Sequence, residues 1–459
     1  MRMEILVWVS ITSLLTSFCQ AEDYASSAKR IVDEVTQQGQ PYFNLTLLDA
    51  IGARVSGSKE AEQAVLWAKS KMEADGFDRI TLDPVKVPQW SRGATERASF
   101  NGTGTSKEKQ ELKVTALGGS IGTPSGGIEA PVVEVHSLAE VEKLGRAGIQ
   151  GKIVFFNVAM DPRLKNTFDA YDLVYELRSK GAATASPYGA VATVLRSLST
   201  LPDDDHPHTG MLNYGTSPKI PSAALSTHAA NLLSAQLKAN PNLKMSLELS
   251  ASKVTTVSSF NVIGELTGSE FPNEVIIVGG HLDSWDLGRG DQDDGAGVVQ
   301  SLEVVRALKK LGLKPKRTIR VVLFMSEEFG GIGAEQYEKK LLASSEKVIL
   351  GLESDRGGFT PVGFNLHANS TVLQKVNSWK PFLQLAHASE IVATQSCGTD
   401  TETLGAAGIP EMEFVPDSTH YFDLHHSALD QLSAVLPADL NMGAAAMSVL
   451  AYLVSQEGL

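Results

Sequence analysis

Side chains that can bind a divalent metal recur after apolar segments in the C-terminal half of the chain. They are His281, Asp293, Glu328, Asp355 and His426. A folded sheet does not require an imidazole or a carboxylate after each strand, and carboxylates gathered at strand ends repel one another. Because a divalent cation between them would remove that repulsion, the pattern predicts a metal site.

Zinc suits this set of ligands, since it accepts imidazole nitrogen and carboxylate oxygen, and a catalytic zinc keeps one position for water. Two metals about 3.5–4 Å apart need a bridging carboxylate, and Asp293 is our choice for the bridge. We expect one zinc to take His281 and Asp355, and the other to take Glu328 and His426. The sequence thus predicts two zinc ions per chain.

Two further carboxylates adjoin the predicted ligands. Glu327 precedes Glu328 and is expected to act as the general base, taking a proton from a zinc-activated water and returning it to the leaving amine. Asp283 lies two positions after His281 and is expected to accept the second N–H of the imidazole. Each such residue alone is more often a helix cap or a structural group. Their occurrence together in one α/β frame favours the metal site.

The segments that must position these residues predict an α/β fold with a doubly wound, mixed sheet. Segments 274–280, 318–325 and 348–352 are continuous apolar runs, typical of buried parallel strands. Segment 297–311 places its apolar residues on one face of a helix. Ligands of such sheets bind beyond the carboxyl ends of the strands, which is where the polar residues occur.

Changes in composition divide the 459 residues into four segments. Helical patterns occur at 28–38 and 60–74, whereas the central stretch is rich in Gly, Ser, Thr and Val and contains short apolar runs. We find no catalytic pattern in that stretch and interpret it as an inserted, mainly β domain. The predicted segments are 1–21 (signal peptide), 22–105 (first part of the catalytic domain), 106–255 (insertion) and 256–459 (second part of the catalytic domain).

The first residues are typical of a secretory signal peptide. Arg2 precedes a short apolar run over 5–18, and 19–21 offers a cleavage pattern of small residues. A later apolar stretch, 442–454, is short and rich in Ala, and we interpret it as a buried C-terminal helix. We therefore expect a protein of the secretory pathway, extracellular or lysosomal, without a membrane anchor.

Secretion agrees with three glycosylation sequons, which begin at Asn44, Asn101 and Asn369. Signal cleavage would leave Cys397 as the single cysteine, which excludes an intrachain disulfide and favours a buried thiol. With 40 Lys+Arg against 53 Asp+Glu, the formal net charge is −13. Such a charge argues against nucleic acid and anionic membranes as partners.

The strings GGHLDSWDLG, DDGAG, FMSEEFGGIGAEQY and LESDRGGF resemble the co-catalytic zinc peptidases, a family that includes bacterial leucyl aminopeptidases and glutamate carboxypeptidase II. The resemblance covers nearly the whole mature chain, and the insertion would correspond to the protease-associated (PA-like) domain of the family. It implies the five ligands named above, Glu327 as the base, a homodimer, and small peptide substrates with free termini, particularly dipeptides.

The resemblance implies a histidine ligand near the C-terminus, and two adjacent residues, His425 and His426, are candidates for it. The family pattern is a histidine followed four positions later by an acid and then by Thr, and His426 with Asp430 has this spacing. Gln431 replaces the Thr, which is a departure from the pattern. We take His426 as the ligand, His425 as a candidate substrate contact, and Tyr421 as a candidate to stabilise the oxyanion.

Three alternatives stay open at this stage. An aminopeptidase shares the core motifs, glutaminyl cyclases resemble the sheet but use one zinc, and some relatives such as transferrin receptors are binding modules that have lost ligands. The sequence does not show which end of a peptide is held. Arg289, Arg356 and the loop 398–400 are candidates for contacting a peptide terminus.

Overall fold

The computed structural model describes residues 24–101 and 108–459. Within these ranges the chain forms two mixed sheets of eight strands each, both flanked by helices. The predicted signal peptide, residues 1–21, lies outside the described residues.

The helices have the following bounds. They are α1 (residues 24–38), α2 (Pro41–Asp49), α3 (Lys59–Ala74), α4 (Leu138–Ile149), α5 (Thr167–Asp172), α6 (Tyr175–Ala185), α7 (Thr227–Ala239), α8 (Ala296–Leu311), α9 (Ile332–Leu342), α10 (Ser370–Ser378), α11 (Lys380–Leu383), α12 (Glu402–Ala406), α13 (Tyr421–Leu424) and α14 (Pro437–Glu457).

The strands are β1 (Arg79–Gln89), β2 (Glu96–Asn101), β3 (Lys109–Leu112), β4 (Val114–Ala116), β5 (Ile128–Val135), β6 (Ile153–Phe156), β7 (Ala192–Arg196), β8 (Ser222–Leu225), β9 (Lys244–Leu249), β10 (Thr255–Leu266), β11 (Phe271–His281), β12 (Arg317–Phe324), β13 (Lys347–Glu353), β14 (Pro361–His367), β15 (Glu390–Ala393) and β16 (Glu411–Pro416).

The first sheet has the order β1-β10-β12-β11-β13-β16-β14-β15. Its four central strands, β12, β11, β13 and β16, are parallel to one another. Successive residues of β11 point to opposite faces of the sheet and pack into different hydrophobic cores. Ile276 and Val278 pack with α8 and α14 on one face, whereas Val275 and Ile277 pack with α9 on the other. A strand buried on both faces needs an unbroken apolar run, so the predicted doubly wound mixed sheet is confirmed, with its predicted strands and helices.

Parallel pairing brings the carboxyl ends of β11, β12 and β13 to one edge of the sheet. His281 pairs with Phe324, and Gly279 pairs with Glu353. Helix α8 begins against this edge, where a Cβ on Gly297 would lie 1.9 Å from the backbone oxygen of Ser354. Only glycine permits that approach, and the start of α8 is thereby held beside the strand ends.

The second sheet has the order β3-β2-β9-β5-β6-β7-β8-β4 and carries α4 to α7. Strand β2 belongs to it, although it precedes the predicted insertion start at residue 106, because β2 pairs with β9 from Glu96 to Phe100. The described part of this domain contains about as much helix as strand. The parallel pairs β5–β6 and β6–β7 are joined by helical crossovers, α4 in the first and α5 with α6 in the second. These crossovers explain why the domain is less purely β than its composition predicts.

The structure also bears on three further sequence predictions, which concern the C-terminal helix, the single cysteine and the glycosylation sites. Helix α14 is long and apolar enough to cross a membrane, but 78% of its most apolar window is buried within the fold. Cys397 is a free, buried thiol, as predicted. Asn44 lies within α2 and is only 1% exposed, which argues against a glycan at this position. Asn101 and Asn369 are exposed.

Candidate metal centre

The structure brings all five predicted ligands together at the carboxyl edge of the first sheet. Four pairs of ligand atoms are in close contact. His281 Nε2 lies 3.2 Å from Asp293 Oδ1 and 3.3 Å from Asp355 Oδ1. His426 Nε2 lies 3.1 Å from Asp293 Oδ2 and 3.0 Å from Glu328 Oε2. The two oxygens of Asp293 therefore face two different sets of ligands.

These distances suit two zinc ions. Tetrahedral zinc with bonds of about 2.0–2.1 Å holds neighbouring ligand atoms about 3.3 Å apart. The buried Oε1 of Glu328 also has no hydrogen-bond partner among the described residues, and buried polar atoms in native proteins normally have one. The residues present thus fit a pair of cations bridged by Asp293.

The electrostatics of the cluster agree with this fit. Burial raises the pKa of Glu328 to about 7, with the charge of Asp293 adding to the effect. Burial lowers the pKa of His281, but the carboxylates of Asp355 and Asp293 outweigh burial and hold this pKa well above its usual value. Carboxylates that repel one another, and imidazoles surrounded by carboxylates, are stabilised by a bound cation.

The adjacent histidines have different positions. His426 Nε2 contacts both Asp293 and Glu328, whereas His425 Nε2 lies 3.7 Å from Asp293 Oδ2, and the two rings stack at 3.5 Å. Both histidines could reach a cation beside Asp293. We retain His426 as the proposed ligand, because its Nε2 is the closer atom and its Nδ1 lies 3.3 Å from the backbone oxygen of Thr209.

The expected role of Asp283 needs correction. His281 Nδ1 lies 3.0 Å from the backbone oxygen of Asp283 and 3.8 Å from its carboxylate, so a protonated Nδ1 donates to the backbone carbonyl. The carboxylate instead accepts the backbone N–H groups of Ser326, at 2.7 Å, and Glu327, at 3.1 Å. Ser326 has a φ of 78°, which is uncommon for a residue with a side chain. Asp283 therefore holds the turn that presents Glu327.

Glu327 lines the cavity beside the predicted ligands, with its carboxylate 4.0 Å from His281 Nε2 and its side chain 17% exposed. Burial raises the pKa of Glu327 well above its usual range, against the opposing charge of His281. A carboxyl group with a raised pKa exchanges protons more readily near neutral pH. The position of Glu327 beside His281, at the cavity wall, is compatible with the predicted proton transfer.

Two residues hold the loop of Asp293 in roles that the sequence analysis did not assign, although Asp430 was noted there as part of the family pattern. Asp430 accepts the backbone N–H groups of Asp291, Gln292 and Asp293 at 2.7–3.1 Å. Arg54 is fully buried and donates to backbone oxygens at both ends of the segment 282–290, which leads from β11 to Asp293. Its acceptors are Leu282, Arg289 and Gly290. Nothing in the local sequence around Arg54 indicates this role, since its partners lie more than 200 positions away.

A cavity of about 480 Å³ opens onto the cluster. The insertion supplies part of its wall, although we predicted no functional residue there. The contributing residues are Phe168, Tyr171, Asp172, Tyr175, Arg178 and Met211. Tyr421 and His425, predicted substrate contacts, also line the cavity, as do Arg356, Gly398 and Thr399. Asp400 is buried and Arg289 is exposed outside the cavity.

Comparison with known proteins decides the family. The sequence profile of peptidase family M28 matches residues 261–451. Carboxypeptidase Q of Bos taurus is 33% identical over 437 residues, which cover 94% of this chain and 89% of that protein. The chain belongs to the carboxypeptidase Q group of peptidase family M28. It is accordingly a metal-dependent peptide hydrolase.

Two solved peptidase structures share the fold. The peptidase M28 precursor from Shewanella amazonensis SB2B is 33% identical, with a TM-score of 0.88 over 95% of this chain and 97% of that one. A zinc aminopeptidase from Bacillus subtilis has a TM-score of 0.64 at 18% identity, over 94% and 96% of the two chains. Because this alignment covers nearly all of both chains, the Bacillus subtilis enzyme and this protein share the architecture of both domains.

Proposed function

We propose that this M28 peptidase is a two-zinc exopeptidase that hydrolyses small peptides, particularly dipeptides with free termini. The observation that carries the proposal is the position of Asp293, whose two carboxylate oxygens each contact the histidine of a different ligand set. His281 and Asp355 would hold one zinc, Glu328 and His426 the other. Zinc bound there would lower the pKa of water and polarise the scissile carbonyl.

The side chains of the cavity would divide the remaining work. Glu327 would accept a proton from the attacking water and return it to the leaving amine. Burial raises the pKa of Tyr421 well above its usual value, and the charge of Asp293 raises it further. The hydroxyl of Tyr421 therefore stays protonated and can donate a hydrogen bond to the oxyanion.

The size of the cavity supports a small substrate. About 480 Å³ is at the lower end of the range for ligand sites, roughly 300–1,000 Å³. Its aromatic wall consists of Phe168, Tyr171, Tyr175, Tyr421 and Phe422. Such a wall would accept the apolar side chains of a small substrate.

Secretion is part of the same proposal. The N-terminal pattern of a signal peptide and the exposed sequon residues Asn101 and Asn369 support a glycoprotein that is extracellular or lysosomal. A homodimer is proposed from the family resemblance.

A dipeptide panel assayed with and without a chelator tests the activity. We expect cleavage of unblocked dipeptides, loss of cleavage with the chelator, and recovery when zinc is added back. Cleavage of peptides with a free amino end and an amidated carboxyl end would favour the aminopeptidase alternative. Cyclisation of N-terminal glutamine would indicate a glutaminyl cyclase. A folded protein that cleaves none of these substrates would indicate a binding module.

A further inference from the structure

Arg178 is a buried cation in the wall of the cavity. It lies on α6 in the insertion, is 5% exposed, and lines the cavity together with Glu327 and His425. Its Nη1 lies 3.4 Å from Nδ1 of the predicted zinc ligand His426. The insertion therefore places a guanidinium group directly beside the metal centre.

The charge of Arg178 has no carboxylate partner. Among the residues that the structure describes, no Asp or Glu oxygen forms an ion pair with it, and its contacts are to the Tyr171 hydroxyl at 2.5 Å and the Thr209 carbonyl at 3.5 Å. Its buried Nε–H has no acceptor within those residues. Buried charges in proteins are normally paired, so this group lacks an anion.

The other cation of the cavity wall differs in this respect. Arg356 Nε lies 2.6 Å from Glu413, and its guanidinium stacks on Phe168. Its charge is thus already compensated within the protein. Of the two arginines that line the cavity, Arg178 is the one whose charge has no ion pair among the described residues.

The space around Arg178 is shaped for a fixed guanidinium. A Cβ on Gly210, whose φ is +138°, would lie 2.4 Å from the Arg178 guanidinium carbon. The rings of Tyr171 and Tyr175 flank the group at 5.4 and 5.3 Å. A positioned guanidinium binds carboxylate in a two-pronged geometry that lysine cannot reproduce.

We propose that Arg178 binds the free C-terminal carboxylate of the substrate and so makes this enzyme select peptides with an unblocked carboxyl end. The inference rests on the proposed exopeptidase activity and assigns the terminus that it recognises. One residue of extended chain spans about 3.3–3.6 Å. The carboxylate of a residue just beyond the scissile bond can therefore reach a group that lies beside a metal ligand.

The test compares a dipeptide with its C-terminal amide in the full-length, zinc-loaded protein. The wild type should prefer the free acid. In Arg178→Gln, the ratio of kcat/KM for acid over amide should fall at least about ten-fold, since a hydrogen bond between charged groups is lost. Arg178→Lys should give an intermediate ratio, with the loss mainly in KM. Arg163→Gln, an exposed arginine of the same domain paired with Asp161, is the matched control and should keep the wild-type ratio.

Other outcomes separate the possible failures. A wild type that cleaves both substrates equally, or an Arg178→Gln variant that keeps the wild-type ratio, would overturn the role of Arg178 while leaving the peptidase proposal intact. If Arg178→Gln loses kcat/KM equally on the acid and on the amide and also loses zinc, Arg178 supports the zinc ligand His426 and does not bind the substrate carboxylate. A zinc-loaded wild type that cleaves neither substrate would overturn the proposed function itself, and the inference with it.

Discussion

Replacing Glu327 with glutamine is expected to lower kcat by about 10²–10⁴-fold while the zinc content stays at the wild-type value. Glutamine keeps the size of the side chain but cannot accept the proton of the attacking water. The carboxylate of Glu327 lies 4.0 Å from His281 Nε2, whereas closer oxygens of Asp293 and Asp355 contact that nitrogen at 3.2 and 3.3 Å. The variant should therefore lose proton transfer and keep the metals.

Steady-state kinetics and metal analysis of the same preparation check this result. Glu335→Gln is the matched control, because Glu335 is an exposed residue on α9 paired with Lys339, and its loss should change neither quantity. Near-normal turnover of Glu327→Gln would exclude Glu327 as the base. Parallel loss of zinc would instead show that Glu327 is a ligand.

Replacing Asp293 with alanine should have the largest effect of any single change, with cleavage falling to background and both zinc ions lost or strongly weakened. Asp293 is the residue that contacts both ligand histidines, His281 and His426. Its removal withdraws one ligand from each metal and leaves the remaining buried carboxylates to repel one another. Zinc analysis after gel filtration and the dipeptide assay would measure the two losses.

Asp355→Ala is the comparison that makes the Asp293 result specific. Asp355 contacts His281 on one side of the centre, so its loss should weaken one zinc and leave the other in place. If Asp293→Ala and Asp355→Ala lose the same amount of zinc, Asp293 does not bridge two metals.

Much of the first sheet could be predicted because local patterns determine it. The apolar run before His281 predicts a strand buried on both faces, and the structure has β11 with residues packing into two cores. Parallel strands end at a common edge, and this rule alone brings residues as distant in sequence as His281 and Asp355 into contact.

The residues that were missed depend on contacts between distant segments. Arg178 reaches His426 across 248 positions, and Asp430 holds the Asp293 loop across 137. No periodicity records such contacts, since they arise only when distant segments fold against one another. For Arg178 these segments are the insertion and the first sheet, and for Asp430 they are two parts of the catalytic domain. Asp283 was assigned to the wrong acceptor for a related reason. The choice between its carboxylate and its backbone oxygen depends on the conformation of one turn, which residue spacing does not specify.

Anomalous diffraction at the zinc edge, from crystals of the protein grown with zinc, tests the central proposal most directly. Two bridged ions predict two peaks about 3.5–4 Å apart, one beside His281 and Asp355 and the other beside Glu328 and His426, with Asp293 between them. A single peak, or two peaks that do not share Asp293, would contradict the two-zinc centre and the function built on it.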